Sequence, residues 1–137
     1  MQLLRLRPAF DVAQEVVYAA TDITCSEDVP EHRFYRVGDV SRWNWGRVAW
    51  VGLRLMYVIA REKPCVIITT GAAPGLVAVC LGRCYGAKTV WIDSIANVDE
   101  MSLSGRVARR FAHLALTQWE HLAGSGKKDI AWRGSVL

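Results

Sequence analysis

Apolar and polar positions along the chain fall into two alternating kinds of segment. Short runs with β-branched residues and few charges, at 15–21, 65–70 and 88–93, predict buried strands. Residues 32–37 suit a less buried strand, and 114–118 and 130–134 predict two more. Longer segments predict helices: a piece at 3–10, the longest apolar stretch at 45–61, then 75–85 and 105–113. Gly86 stands where a helix-terminating glycine belongs. In the last helix Val107, Phe111 and Leu114 share one face, and Arg106, Arg109 and Arg110 the other.

Strands that are apolar throughout and separated by helices imply a parallel sheet covered on both faces. The expected class is therefore α/β, a Rossmann-like doubly wound sheet. A length of 137 residues suits one domain, spanning 1–137, and is too short for two nucleotide-fold lobes. There is no internal repeat, and the Gly124-Ser125-Gly126 loop is too short to join domains.

Composition adds a surface to this picture. Apolar residues make up 52% of the chain and mean hydropathy is +0.14, high for a protein soluble alone. The excess points to a membrane contact, a partner face, or both. The net charge of +4 is first a solvated surface, then an attraction to anionic headgroups or a phosphorylated substrate. No basic-aromatic RNA platform or recognition-helix motif occurs, so nucleic acid is not an expected partner. Cys25, Cys65, Cys80 and Cys84 contain no Cys-x-x-Cys pair. They read as small hydrophobes in a reducing compartment, with no metal and no cofactor expected. The interleaved charge at the N-terminus does not have the form of a signal peptide.

Three features could carry chemistry. The first is the turn Thr69-Thr70-Gly71-Ala72-Ala73-Pro74-Gly75, which leaves a strand and opens a helix. Small side chains let a ligand reach the backbone, and a helix N-terminus favours phosphate. It matches neither a Walker A loop nor the dinucleotide fingerprint, and a tight turn needed for packing would look alike. The second is the block 91–105, which follows a strand directly. Its Asp93, Ser94, Asn97, Ser102 and Ser104 suit sugar hydroxyls at the carboxyl edge where open α/β sheets bind ligands. Ser102 or Ser104 could equally cap the next helix. The third is the segment 43–61, whose apolar core at 48–57 is too short and too interrupted by arginine to span a bilayer. Arg47, Arg54 and Arg61 recur every seven residues beside Trp43, Trp45, Trp50 and Tyr57. That is the profile of a helix in the headgroup plane, or of a buried helix with an arginine edge.

Taken together, four motifs carry a family resemblance. They are the turn 69–75; the block 91–105 with Asp93-Ser94-Ile95-Ala96-Asn97 and Ser102-Leu103-Ser104-Gly105; Leu116-Thr117-Gln118-Trp119; and Gly134-Ser135-Val136-Leu137. The chain resembles bacterial exopolysaccharide and capsule glycosyltransferase subunits of the PssD type. These are similar to the membrane-anchoring subunit of the split UDP-N-acetylglucosamine transferase of dolichol-linked oligosaccharide synthesis.

The resemblance implies the N-terminal, acceptor half of a GT-B enzyme, similar to the acceptor domain of the peptidoglycan transferase MurG. A separate chain would carry the UDP-sugar site. A polyprenyl-diphosphate-linked acceptor would approach along the cytoplasmic face of the membrane. Its binding residues would be Gly71, Ala72, Ala73, Gly75, Asp93, Ser94, Asn97, Ser102, Ser104 and Gly105. Gln118, Trp119, Gly134, Ser135, Val136 and Leu137 would face the partner chain. Family members open on a strand and a Gly-Gly-His loop that would hold the general base. Here Met1 falls directly on the following helix, so no catalytic residue is assigned and a start further upstream is expected, the alternative being a truncated, inactive form. The alternative function is a non-catalytic membrane anchor that recruits a self-sufficient transferase.

Overall fold

The computed structural model describes residues 5–10, 15–38, 45–124 and 130–134. A short helix α1 (Arg7–Phe10) precedes strand β1 (Val17–Ala20), a 3-10 turn at Ile23–Ser26 and strand β2 (Arg33–Arg36). Helix α2 (Trp45–Glu62) leads to β3 (Val66–Thr69), α3 (Ala72–Cys84), β4 (Lys88–Ile92), α4 (Leu103–Phe111) and β5 (Leu114–Thr117). A second 3-10 turn, Glu120–Leu122, precedes β6 (Ala131–Trp132). Among the described residues the expected strands and helices are present within a few residues of their expected bounds; residues 3 and 4 of the expected first helix lie outside the described residues.

Every strand pairing is parallel, as buried βαβ units require. Among the described residues the strands form two sheets, β1-β2 and β3-β4-β5-β6. Helix α2 bridges them. Its Val51 and Leu55 pack on Val37, just after β2, and on Val77, Ala78 and Leu81 of α3. At its C-terminal end Glu62 accepts from the Tyr35 hydroxyl at 2.5 Å and pairs with Arg33 at 3.0 Å.

A second core holds the larger sheet to its helices. Trp91, wholly buried in β4, packs with Val79, Ala108, Ala115 and Ile130. Gly82 brings α3 close to the sheet, since a Cβ there would sit 2.4 Å from Ile67 Cδ1. At the far end of α3 Gly86 takes φ +82°, and Ala87 N donates to Gly82 O at 2.9 Å. This is the glycine stop expected at that position.

Helix α4 departs from its simple amphipathic pattern. It buries Gly105 and Ala108, while Val107, Phe111 and Leu114 remain more than two-fifths exposed. Small side chains let a helix approach a sheet closely, so the inward face of α4 is set by size, and its large apolar residues point out.

Candidate functional site

The turn after β3 depends on two glycines, one for its backbone angle and one for its close packing. Gly71 has φ +119° and precedes Ala72 at φ +61°, left-handed backbone that favours residues without a Cβ. A Cβ on Gly75 would lie 2.2 Å from Thr69 Oγ1, and that same oxygen accepts from Gly71 N at 3.4 Å. Helix α3 begins at Ala72, three residues before its expected start, because Pro74 fits a first helical turn where its missing N–H is not needed. Gly71 occupies the N-cap and no side chain caps the end. The first-turn N–H groups are thus left to backbone, water or ligand.

The neighbouring loop is organised by one carboxylate. Asp93, 1% exposed at the end of β4, accepts from Ser102 Oγ at 2.9 Å and Ser102 N at 3.3 Å. Asn97 Nδ2 at 3.3 Å and Trp91 Nε1 at 3.4 Å also donate to this carboxylate. Ser102 is the N-cap of α4, its Oγ accepting from Gly105 N at 2.9 Å. Gly105 has no room for a side chain, since a Cβ would meet Asp93 Oδ1 at 2.8 Å. Farther out, Trp119 Nε1 donates to Ile95 O at 3.0 Å and His121 Nε2 to Val98 O at 2.6 Å. The loop 93–102 is therefore pinned from below by Asp93 and from the side by the turn after β5.

Strand register sets the two motifs side by side. Thr69 is the partner of Trp91, so Gly71 and Asp93 emerge from adjacent parallel strands at one edge. Asp93 N donates to Leu116 O at 2.8 Å, and Thr117 pairs with Trp132, which brings Gln118 and Gly134 to that edge too. A pocket of about 180 Å³ opens there, lined by Leu6, Ile92, Leu116, Thr117, Gln118, Arg133 and Gly134. The carboxyl edge of a parallel sheet is where open α/β folds hold ligands, because helix N-termini and loop amides converge on it.

A family model described as "Oligosaccharide biosynthesis protein Alg14 like" matches residues 32–136, most of the chain. The chain belongs to the Alg14-like family. No curated protein matches it in sequence. Among solved structures it is similar to MurG of Acinetobacter baumannii, with a TM-score of 0.77 and 9% identity over 98% of this chain. The chain spans 40% of the length of that protein. At this identity the likeness is one of fold, and it agrees with the Rossmann-like α/β class.

In this Alg14-like chain the residues singled out in sequence fall into three groups. Gly71, Ala72, Ala73 and Gly75 share an edge with Asp93, Ser94, Asn97, Ser102, Ser104 and Gly105, although Asp93, Gly75 and Gly105 are buried beneath it. Gln118 is buried, Trp119 is half-buried against the loop, and Gly134 is exposed. Ser135, Val136 and Leu137 lie outside the described residues. On α2, Arg47, Trp50, Arg54 and Arg61 are all exposed. Trp43, and the side chain of Trp45, lie outside the described residues. Burial of Val51, Leu55, Val58 and Ile59 on the opposite side of α2 leaves Leu53 and Met56 exposed beside Trp50. The heptad arginines did not reveal those two. Arg133 and Leu6 of the pocket were also missed, since only the fold brings them to β4 and β5. No described helix is long and apolar enough to cross a membrane.

Proposed function

We propose that the chain is the acceptor-side, membrane-associated subunit of a two-chain glycosyltransferase of GT-B type. It works with a separate UDP-sugar-binding chain to extend a polyprenyl-diphosphate-linked acceptor at the cytoplasmic face of a membrane. The observation that carries this reading is the Alg14-like match over residues 32–136.

The edge geometry suits the acceptor. Its diphosphate lies over the uncapped end of α3 at Gly71, Ala72 and Ala73, where a helix N-terminus contributes about 0.3–1 kcal/mol to anion binding. Ser94, Asn97 and Ser104 offer donors and acceptors to sugar hydroxyls. Asp93 and Ser102 hold that loop in place, and Gly75 and Gly105 let the helices come near enough. The exposed Trp50, Arg54 and Arg61 of α2 rest in the headgroup layer. The partner chain meets the Gln118–Trp119 and 134–137 side of the edge.

The test is sugar transfer from a labelled UDP-sugar to a polyprenyl-diphosphate acceptor in membranes. The chain alone is expected to be inactive, and co-expression with the chain encoded beside it to restore transfer. Transfer by the partner at full rate without this chain would refute the division. Asn97→Ala separates the anchor alternative: an anchor keeps full transfer and recruitment, whereas an acceptor subunit loses transfer and retains recruitment.

A further inference from the structure

Helix α4 presents an outward surface that the acceptor edge and the partner side leave unused. Leu103, Val107 and Phe111 are spaced four apart, a single stripe along the helix. They are 74%, 44% and 43% exposed. Beside the stripe run Arg106 and Arg110, both exposed. Arg106 reaches Glu100, while Arg110 makes no ion pair among the described residues. The helix carries no acidic residue.

This surface is held in place by design of the buried side. Ser102 caps the helix, Gly105 has no space for a side chain, and Ala108 is wholly buried. Rotating α4 to hide Phe111 would drive arginines into the sheet. At the C-terminal end Arg83 of α3 donates to Phe111 O at 3.0 Å, which adds another cation beside the stripe. Helix α3 packs against both α2 and α4, so the three form consecutive members of one layer.

We infer that α4 is a second membrane-contacting helix, with Leu103, Val107 and Phe111 entering the headgroup–acyl boundary of an anionic bilayer. Charge decides the occupant. A stripe of large apolar residues bordered by Arg83, Arg106 and Arg110, with Glu100 paired to Arg106 at its N-terminal end, matches a surface that is apolar beneath and negative above. The inference rests on the membrane reading of α2 and extends it to two helices on either side of α3. Two contacts in place of one fix the tilt of the domain on the bilayer, and so the height of its sheet edge.

Flotation of the full chain with phosphatidylcholine vesicles, with and without phosphatidylglycerol, tests this. Wild type is expected to float with the anionic vesicles, and Val107→Ser/Phe111→Ser to partition about tenfold less. Arg110→Glu should weaken binding to anionic vesicles alone. A fluorophore on Phe111→Cys, in a chain also carrying Cys65→Ser and Cys84→Ser because those thiols are exposed, should shift to the blue on vesicle addition, a readout independent of the serine variants of the stripe. If Trp50→Ser/Leu53→Ser releases the protein and the α4 changes have no effect, the α4 contact is overturned and the α2 reading stands. Wild type that floats with neither vesicle overturns both. A dimer in sedimentation that the α4 serines dissociate, with vesicle binding unchanged, assigns the stripe to a second copy and overturns the proposal.

Discussion

Replacing Asp93 separates what holds the acceptor loop from what touches a ligand. The carboxylate is 1% exposed, and four donor atoms lie at 2.9 to 3.4 Å from it. Only the Ser102 hydroxyl, at 2.9 Å, has the short geometry of a strong bond; the other three are at the long end of the range. Asp93→Ala removes the acceptor from the buried Trp91 donor and from the half-buried Ser102 and Asn97 donors, and a buried donor left unsatisfied costs about 1–3 kcal/mol. Counting Ser102 fully and the longer bonds in part gives a loss of about 3 kcal/mol. Asp93→Asn keeps the shape and one acceptor oxygen but turns an amide N–H₂ toward other donors, for a loss of about 1.5–2 kcal/mol. Urea unfolding should show both losses as a lower midpoint at unchanged slope. Hydrogen exchange should quicken at Asn97, Ser102 and Gly105 even in native buffer. The reasoning fails if Asp93→Asn unfolds within about 0.5 kcal/mol of wild type and those amides keep their protection. Acceptor binding lost under those conditions would mean that the carboxylate meets the ligand itself.

Three further outcomes follow from the same geometry. Gly75→Ala should destabilise by about 1–3 kcal/mol through overpacking on Thr69, despite the better helix propensity of alanine; Thr69→Ala/Gly75→Ala should recover part of it in urea melts, and a single variant as stable as wild type would refute the close contact. Burial, and secondarily Cys84, pushes the Cys80 thiol above its usual range. A thiol reagent with mass mapping should therefore label exposed Cys84 and Cys65 before Cys80; equal rates for Cys80 and Cys84 would count against this packing. The Tyr35 phenol is raised above its ordinary 10.0, chiefly by its hydrogen bond to Glu62 and next by burial. Its neutral form is the one the fold favours, so this contribution is complete below pH 10 and disappears as pH climbs through the raised value. Tyr35→Phe should lose less stability than wild type over that alkaline range, and parallel urea midpoints would disprove the linkage.

Much of the layout is legible in the chain because strand and helix signals are local. Ile67 and Ile68 in β3, and Val90 and Trp91 in β4, sit in runs that suit no other element. The Gly86 stop is equally local, needing only a left-handed turn. The start of α3 was misjudged by three residues because Pro74 usually marks a boundary, yet its ring fits a first turn. Helix α4 misleads for a different reason. Hydrophobicity alone would send Val107 and Phe111 inward, but Gly105 and Ala108 permit the closer approach, and the gain from close packing of backbone and sheet decides the orientation. Asp93 reads as a binding group because polar residues at a strand end often are, and its burial is not visible in the sequence. Its burial depends on Ser102, nine residues on, folding back over it.

The candidate edge divides along the same line. The chain alone determined that small residues occupy 71–75, that a polar loop follows β4, and that arginines and tryptophans mark α2. Each of these is a property of neighbouring residues, whose spacing and size act within a turn or two. Only the tertiary structure decided that Gly71, Asp93, Gln118 and Arg133 reach one edge, that Gly75 and Gly105 lie beneath it, and that α4 turns its apolar stripe outward. Parallel register and helix–sheet distance produce those results, and both depend on contacts between segments far apart in the chain.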